Sequence, residues 1–161
     1  MSLVFADSDE QGRQEYGQSE IISGTFWPRI DLSDLRNVMR IDTNVSSSRL
    51  YHAAIDGVTH VNGQLRAWKK QAQQNSISSL HELDDPEDYI NGESVRVSYY
   101  RRAVYCYTKA ILLETWADAE ATGKSGERAE AKQNQAEDYR REAHFAVASL
   151  MGKSRCDSEL I

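Results

Sequence analysis

Two prolines and nine glycines in 161 residues leave few obligatory breaks, and long stretches favour Ala, Glu, Gln, Arg and Leu. Such a composition predicts an all-α chain. The only cysteines are Cys106, inside a helical pattern, and Cys156, near the end of the sequence. Two thiols so placed read as reduced and no disulfide is expected. No apolar run is long enough to cross a membrane, and no apolar stretch follows a basic start, so neither a spanning helix nor a secretory leader is predicted. A concentrated basic stripe is missing too. The net charge is −6, and Asp7, Asp9, Glu10, Glu15 and Glu20 lie in the first 20 residues against a single cation, Arg13. Phosphate neutralisation needs clustered Lys and Arg, so the balance argues against tight duplex-DNA binding.

What the chain does have is helical periodicity, strongest from Glu93 to Thr122. Val97, Tyr100, Val104, Tyr107 and Ile111 form one apolar row, and Tyr99, Ala103, Cys106, Ala110, Leu113 and Ala117 the next. Tyr105, Leu112 and Trp116 add apolar surface on the opposite side. A helix apolar on most sides must be surrounded. At 1.5 Å per residue it would run about 45 Å, so part of its burial is expected to come from other copies of the chain. Arg96, Arg101 and Arg102 stand beside the tyrosines, and both residue types are favoured interface anchors. The candidate inter-subunit set is therefore Arg96, Tyr99, Arg101, Arg102, Tyr105, Leu112 and Trp116.

Residues 1–24 are acidic and poor in apolar side chains, and read as a flexible segment. Phe26, Trp27 and Ile30 form an apolar knot around Pro28. Asp31 caps a short first helix with Leu32, Leu35, Val38 and Met39 on its face. One of Ser46, Ser47 and Ser48 caps a second, with Leu50, Ala54, Val58, Val61, Leu65, Trp68 and Ala72 in line to about Gln74. A break at Asn62-Gly63 is the competing view. The pattern lapses between Asn75 and Asn91, a long connection. Asn91 is expected to cap the central helix, with Ile90 and Val95 stapled across the cap. Gly123 ends that helix, Ser125 begins the last one, and Ala136, Tyr139, Ala143, Ala146, Val147 and Leu150 are its buried face. The whole reads as an antiparallel bundle of about four helices over 25–152, with a long central helix and an extended tail over 153–161.

Catalytic signatures are weak. Asp118 to Ser125 imitates the end of a phosphate-binding loop, but Asp118 stands where the first glycine belongs and a helix rather than a strand precedes it. His52, His60, His81 and His144 show no spacing that converges on a metal. No serine, histidine and acid set announces itself, so no catalytic residue, metal or cofactor is assigned and the chain is read as a non-enzyme.

Two stretches carry a family resemblance. Gly92-Glu93-Ser94-Val95-Arg96-Val97-Ser98-Tyr99-Tyr100-Arg101-Arg102-Ala103-Val104, and Val147 to Cys156 ending in Ile161, resemble the head completion protein (GpL) family of contractile-tailed bacteriophages. Weaker matches fall at Phe26 to Asp31 and Ser48 to Leu65. Ser154 stands where proline would suit the pattern.

The resemblance implies a structural adaptor forming a ring under the portal, closing the DNA-filled head and meeting tail-side completion proteins. The ring would match the twelvefold portal, with double-stranded DNA in its channel bound without sequence specificity. Its place would be the virion, at the head–tail connector, after assembly in the host cytoplasm. On that reading the tail residues Lys153, Arg155, Cys156, Leu160 and Ile161 dock on the portal or the next subunit. The loop carboxylates Glu82, Asp84, Asp85, Glu87 and Asp88 line the channel or face the tail. The alternative is a small helical DNA-associated or regulatory protein, whose signature is salt-dependent affinity for duplex DNA.

Overall fold

The computed structural model describes residues 19–121 and 126–153. Strand β1 (Glu20–Ile21) pairs antiparallel with β2 (Ile30–Asp31), Glu20 opposite Asp31 and Ile21 opposite Ile30. Residues 20 and 21 therefore belong to the folded body rather than to a flexible leader, because Ile21 is buried in the core and offsets the entropy of ordering its backbone. Phe26 and Trp27 are buried between the strands, and the Trp27 ring lies flat on Tyr100 with centroids 4.9 Å apart.

Asp31 caps α1 (Leu32–Val38), its carboxylate accepting from the N–H groups of Ser33 and Asp34 at 2.7 and 3.0 Å. The helix buries Leu32 and Leu35, but Val38, expected on the same face, is 61% exposed. Val38 is the last residue of the helix and lines an open groove at that end rather than the core. Arg40 closes it at φ +48°, with the N–H groups of Arg40 and Ile41 bonded back to the carbonyls of Asn37 and Arg36. Glycine or asparagine usually fills such a left-handed position.

Ser46 Oγ accepts from the Arg49 N–H and caps α2 (Ser47–Gln64). The expected long second helix divides at Leu65, not at Asn62-Gly63, and α3 (Arg66–Gln74) follows at once. The division is shallow, since Leu65 N–H still bonds Val61 and Lys69 N–H bonds Leu65. The apolar row Leu50 to Ala72 runs across it and stays in the core, with Trp68 half-buried.

Single 3₁₀ turns at Leu80–Leu83 and Pro86–Asp88 fill the long connection. Asn91 does not cap the next helix. It and Gly92 take positive φ (50° and 76°) in a tight reversal, across which Ile90 and Glu93 exchange backbone bonds of 3.0 and 3.1 Å. Ile90 points outward at 65% exposure, so no staple forms. Helix α4 (Val95–Ala121) and α5 (Gly126–Leu150) pack as an antiparallel hairpin. The expected stop at Gly123 and start at Ser125 lie outside the described residues.

Tyr100, Ala103, Val104 and Ala110 on α4 are fully buried, and on its far side Tyr105 and Leu112 are buried too. That far side is covered within the chain by α1 and by Ile41 and Val45 of the following segment. Within one chain the far side of the helix is thus largely covered, with Tyr99, Ile111 and Trp116 left half-buried. Where α2 crosses α4, Gly57 makes room: a Cβ there would lie 2.6 Å from Thr108 Oγ1 and 3.2 Å from the Val104 carbonyl. Thr108 itself donates to that carbonyl at 2.8 Å and is fully buried.

Candidate functional site

At the base of the hairpin, three segments meet on Arg96. Its Nε donates to Asp84 Oδ1 at 2.7 Å, and its own backbone N–H donates to Asp84 Oδ2 at 3.2 Å. Ser94 Oγ donates to the same Oδ2 at 2.6 Å. Asp84 thus supplies, from the preceding loop, the capping that the sequence seemed to offer through Asn91, and its charge suits a helix N-terminus. Burial opposes the ionised form, yet the Ser94 hydroxyl, then the Arg96 guanidinium and N–H, hold its carboxyl below the usual range. The Arg96 guanidinium reaches on to the Leu150 carbonyl at the end of α5 and lies 6.0 Å from the Trp68 ring centroid.

Past Leu150 the chain turns through Gly152 at φ +76°, with Gly152 N–H bonded to Ser149 and Lys153 N–H to Ala148. This double closure fixes the direction in which the chain leaves the bundle. Lys153 is exposed. Arg155, Cys156, Leu160 and Ile161, assigned to tail docking, lie outside the described residues.

The candidate interface residues are largely spoken for within the chain. Arg101 pairs with Glu93 at 2.6 Å and Arg102 with Glu142 at 2.6 Å. Tyr105 donates to Asp34 at 2.6 Å, and burial together with that carboxylate pushes its phenol well up. Tyr99 and Trp116 are half-buried against the core, Leu112 is inside it, and Lys132 sits 5.0 Å over the Trp116 ring. Of the loop acids, Glu82 accepts from the Ser78 N–H and hydroxyl at 3.1 and 2.7 Å, and Asp85 caps the second 3₁₀ turn through Glu87 N–H. Of the five loop acids, only Glu87 and Asp88 are exposed carboxylates without such a side-chain bond to the described residues.

His60, considered as a ligand in the sequence, stacks on Tyr107 at 3.9 Å, and the Arg140 guanidinium lies over the Tyr107 ring, 4.8 Å from its centroid. Burial, then the charges of His144 and Arg140, lowers its pKa. Arg140 is held in turn by both oxygens of Glu114 at 2.7 and 2.6 Å. Among the described residues no group of three or more His, Cys, Asp or Glu is placed to hold a metal.

A second feature was not read from the sequence. Between the end of α1, the middle of α4 and α5 lies an open groove of about 940 Å³. Val38, Met39, Tyr105 and Tyr139 give it apolar walls, and Arg40, Arg101, Arg102 and Lys109 bring four cations against the single carboxylate of Glu142. Lys109 is half-buried, which lowers its pKa, and its Nζ donates to the Arg40 carbonyl at 3.3 Å. Ser98, Arg102, Tyr105 and Lys109 recur at helical spacing along α4, a polar stripe that was the available signal.

Comparison with known proteins agrees with the family reading. The family described as phage head completion protein (GPL) matches residues 21–161. The head completion/stabilization protein of Escherichia phage P2 is 33% identical over 144 residues, covering 89% of this chain and 84% of that protein. No solved structure matches.

Proposed function

This chain belongs to the phage head completion protein (GPL) family, and from that membership we propose that it assembles as a ring beneath the portal of a DNA-filled head. The observation that carries the reading is the reach of the family match, which takes in the helical body and the C-terminal tail together. The ring would follow the portal's twelvefold symmetry, close the capsid, and offer its far side to tail-side completion proteins. Its role is structural, with no catalytic step and no cofactor. It would enter the virion from the host cytoplasm during assembly.

In this reading the tail from Lys153 to Ile161 is the docking arm. The fixed exit at Gly152 supports it, because a defined departure direction reduces the entropy lost when a segment orders on a partner. The exposed pair Glu87 and Asp88 would face the channel or the tail side, where negative charge keeps phosphates from sticking.

Mixing the protein with purified portal rings, followed by light scattering and negative-stain microscopy, tests this. Portal-bound rings are expected from the intact chain. A variant lacking residues 153–161 is expected to keep its helical circular dichroism and lose attachment. Attachment unchanged by the deletion rules out the arm, and a portal that gains no density from the intact chain rules out the adaptor. A ring whose 80s loop points outward removes Glu87 and Asp88 from the channel.

A further inference from the structure

The basic groove is unexplained by head completion, and in a chain of net charge −6 its lining carries four cations to one carboxylate. Arg101 and Arg102 are already paired with Glu93 and Glu142, whereas Arg40 and Lys109 have no carboxylate within 4 Å among the described residues. Arg40 also holds a left-handed backbone position where glycine would relieve strain. Turn geometry alone therefore does not explain an arginine there. Beside it Val38 is one of three large apolar side chains left exposed among the described residues. Cations above an apolar floor fit a peptide that carries both acids and apolar side chains.

Such a peptide lies at the start of this sequence: Leu3-Val4-Phe5-Ala6-Asp7-Ser8-Asp9-Glu10. We propose that the groove between α1, α4 and α5 seats residues 3–10 of the same chain, with the Asp7, Asp9 and Glu10 carboxylates on Arg40 and Lys109 and Phe5 on the apolar wall at Val38. Geometry brings them within reach. The Ser19 carbonyl accepts from the Leu32 N–H at 3.0 Å, at the start of α1, and the groove opens at the other end of that helix. Seven helical residues span about 10 Å. The nine steps from Ser19 back to Glu10 cover up to about 30 Å, three times what is needed. The family match begins at residue 21, so this occupant belongs to a part of the chain that the family does not define.

Zero-length carbodiimide coupling of the full-length protein, read by mass spectrometry on an equal mixture of ¹⁴N- and ¹⁵N-labelled chains, tests the proposal. Lys109 is expected to couple to Asp7, Asp9 or Glu10 within one isotope, beside a Lys109–Asp42 product that serves as internal control, since Asp42 lies near Lys109. Arg40→Gly relaxes the backbone and is expected to keep the melting temperature while lowering the long-range product about fivefold. Raising NaCl to 0.5 M is expected to lower it as well. Products of mixed isotope would assign the groove to a second copy and overturn the proposal. So would a Lys109–Asp42 product without coupling to residues 7–10, which would leave the groove to another acidic partner, or a yield indifferent to Arg40→Gly.

Discussion

Arg96→Ala is expected to lower the unfolding free energy by about 2–3 kcal/mol, because it strands a carboxylate that is 17% exposed and leaves the Leu150 carbonyl without its guanidinium. For a chain of this length that is a fall in melting temperature of roughly 5–10 °C. Asp84→Asn combined with Arg96→Met removes both charges and is expected to cost less than the single arginine change, the sign of a coupled pair. The pair also sets an acid dependence. Asp84 has its pKa depressed in the folded protein, so its contribution is present above its unfolded value of about 4 and is lost as pH falls through the lower folded value. Thermal melts between pH 7 and pH 2 should be flatter for Arg96→Ala than for the parent over that acid window. A single variant within 0.5 kcal/mol of the parent would show that the junction contributes nothing to stability.

Gly57→Ala is expected to destabilise by about 2–3 kcal/mol despite a gain of about 1 kcal/mol in helix propensity. The added methyl would meet Thr108 Oγ1 at 2.6 Å, inside any real contact, and the crossing of α2 over α4 has to open. Thr108→Ala removes that oxygen, and the double variant is expected to recover more than half of the loss. The Val104 carbonyl at 3.2 Å from the new Cβ keeps recovery incomplete. Urea titration of the four proteins measures the cycle, and strictly additive losses would show that the close approach is not what excludes alanine.

Gly57 also shows where the sequence is legible and where it is not. Periodicity alone placed the buried faces of α2, α4 and α5, because a 3.6-residue repeat is local information. The same reading could only count Gly57 as a helix penalty, since the atoms that exclude a side chain lie 47 or more residues away at Val104 and Thr108. Capping failed in the same manner. Asn91 is a plausible cap by proximity, but Asp84 reaches the helix start across a loop, and Asn91-Gly92 makes the reversal that was looked for at Asn62-Gly63. Arginines 96, 101 and 102 read as interface anchors beside the tyrosines, and a sequence does not show which acid of its own chain lies against a helical charge. Their acids come from a preceding loop, a turn and α5. The groove draws on three elements, and only its stripe along α4 was visible beforehand.

Adhesion along α5 is uneven. From its start to its middle its fully buried residues are alanines, Ala129, Ala136 and Ala143, with Tyr139 half-buried beside them, whereas Val147 and Leu150 at its far end join the large core. Small side chains remove little surface from water, so the hairpin should peel from its tip and stay clamped where the tail departs. Amide exchange is expected to be faster over 126–135 than over 143–150, and a uniform rate would contradict that gradient. A load drawn through the tail would then meet the helix at its firmest end.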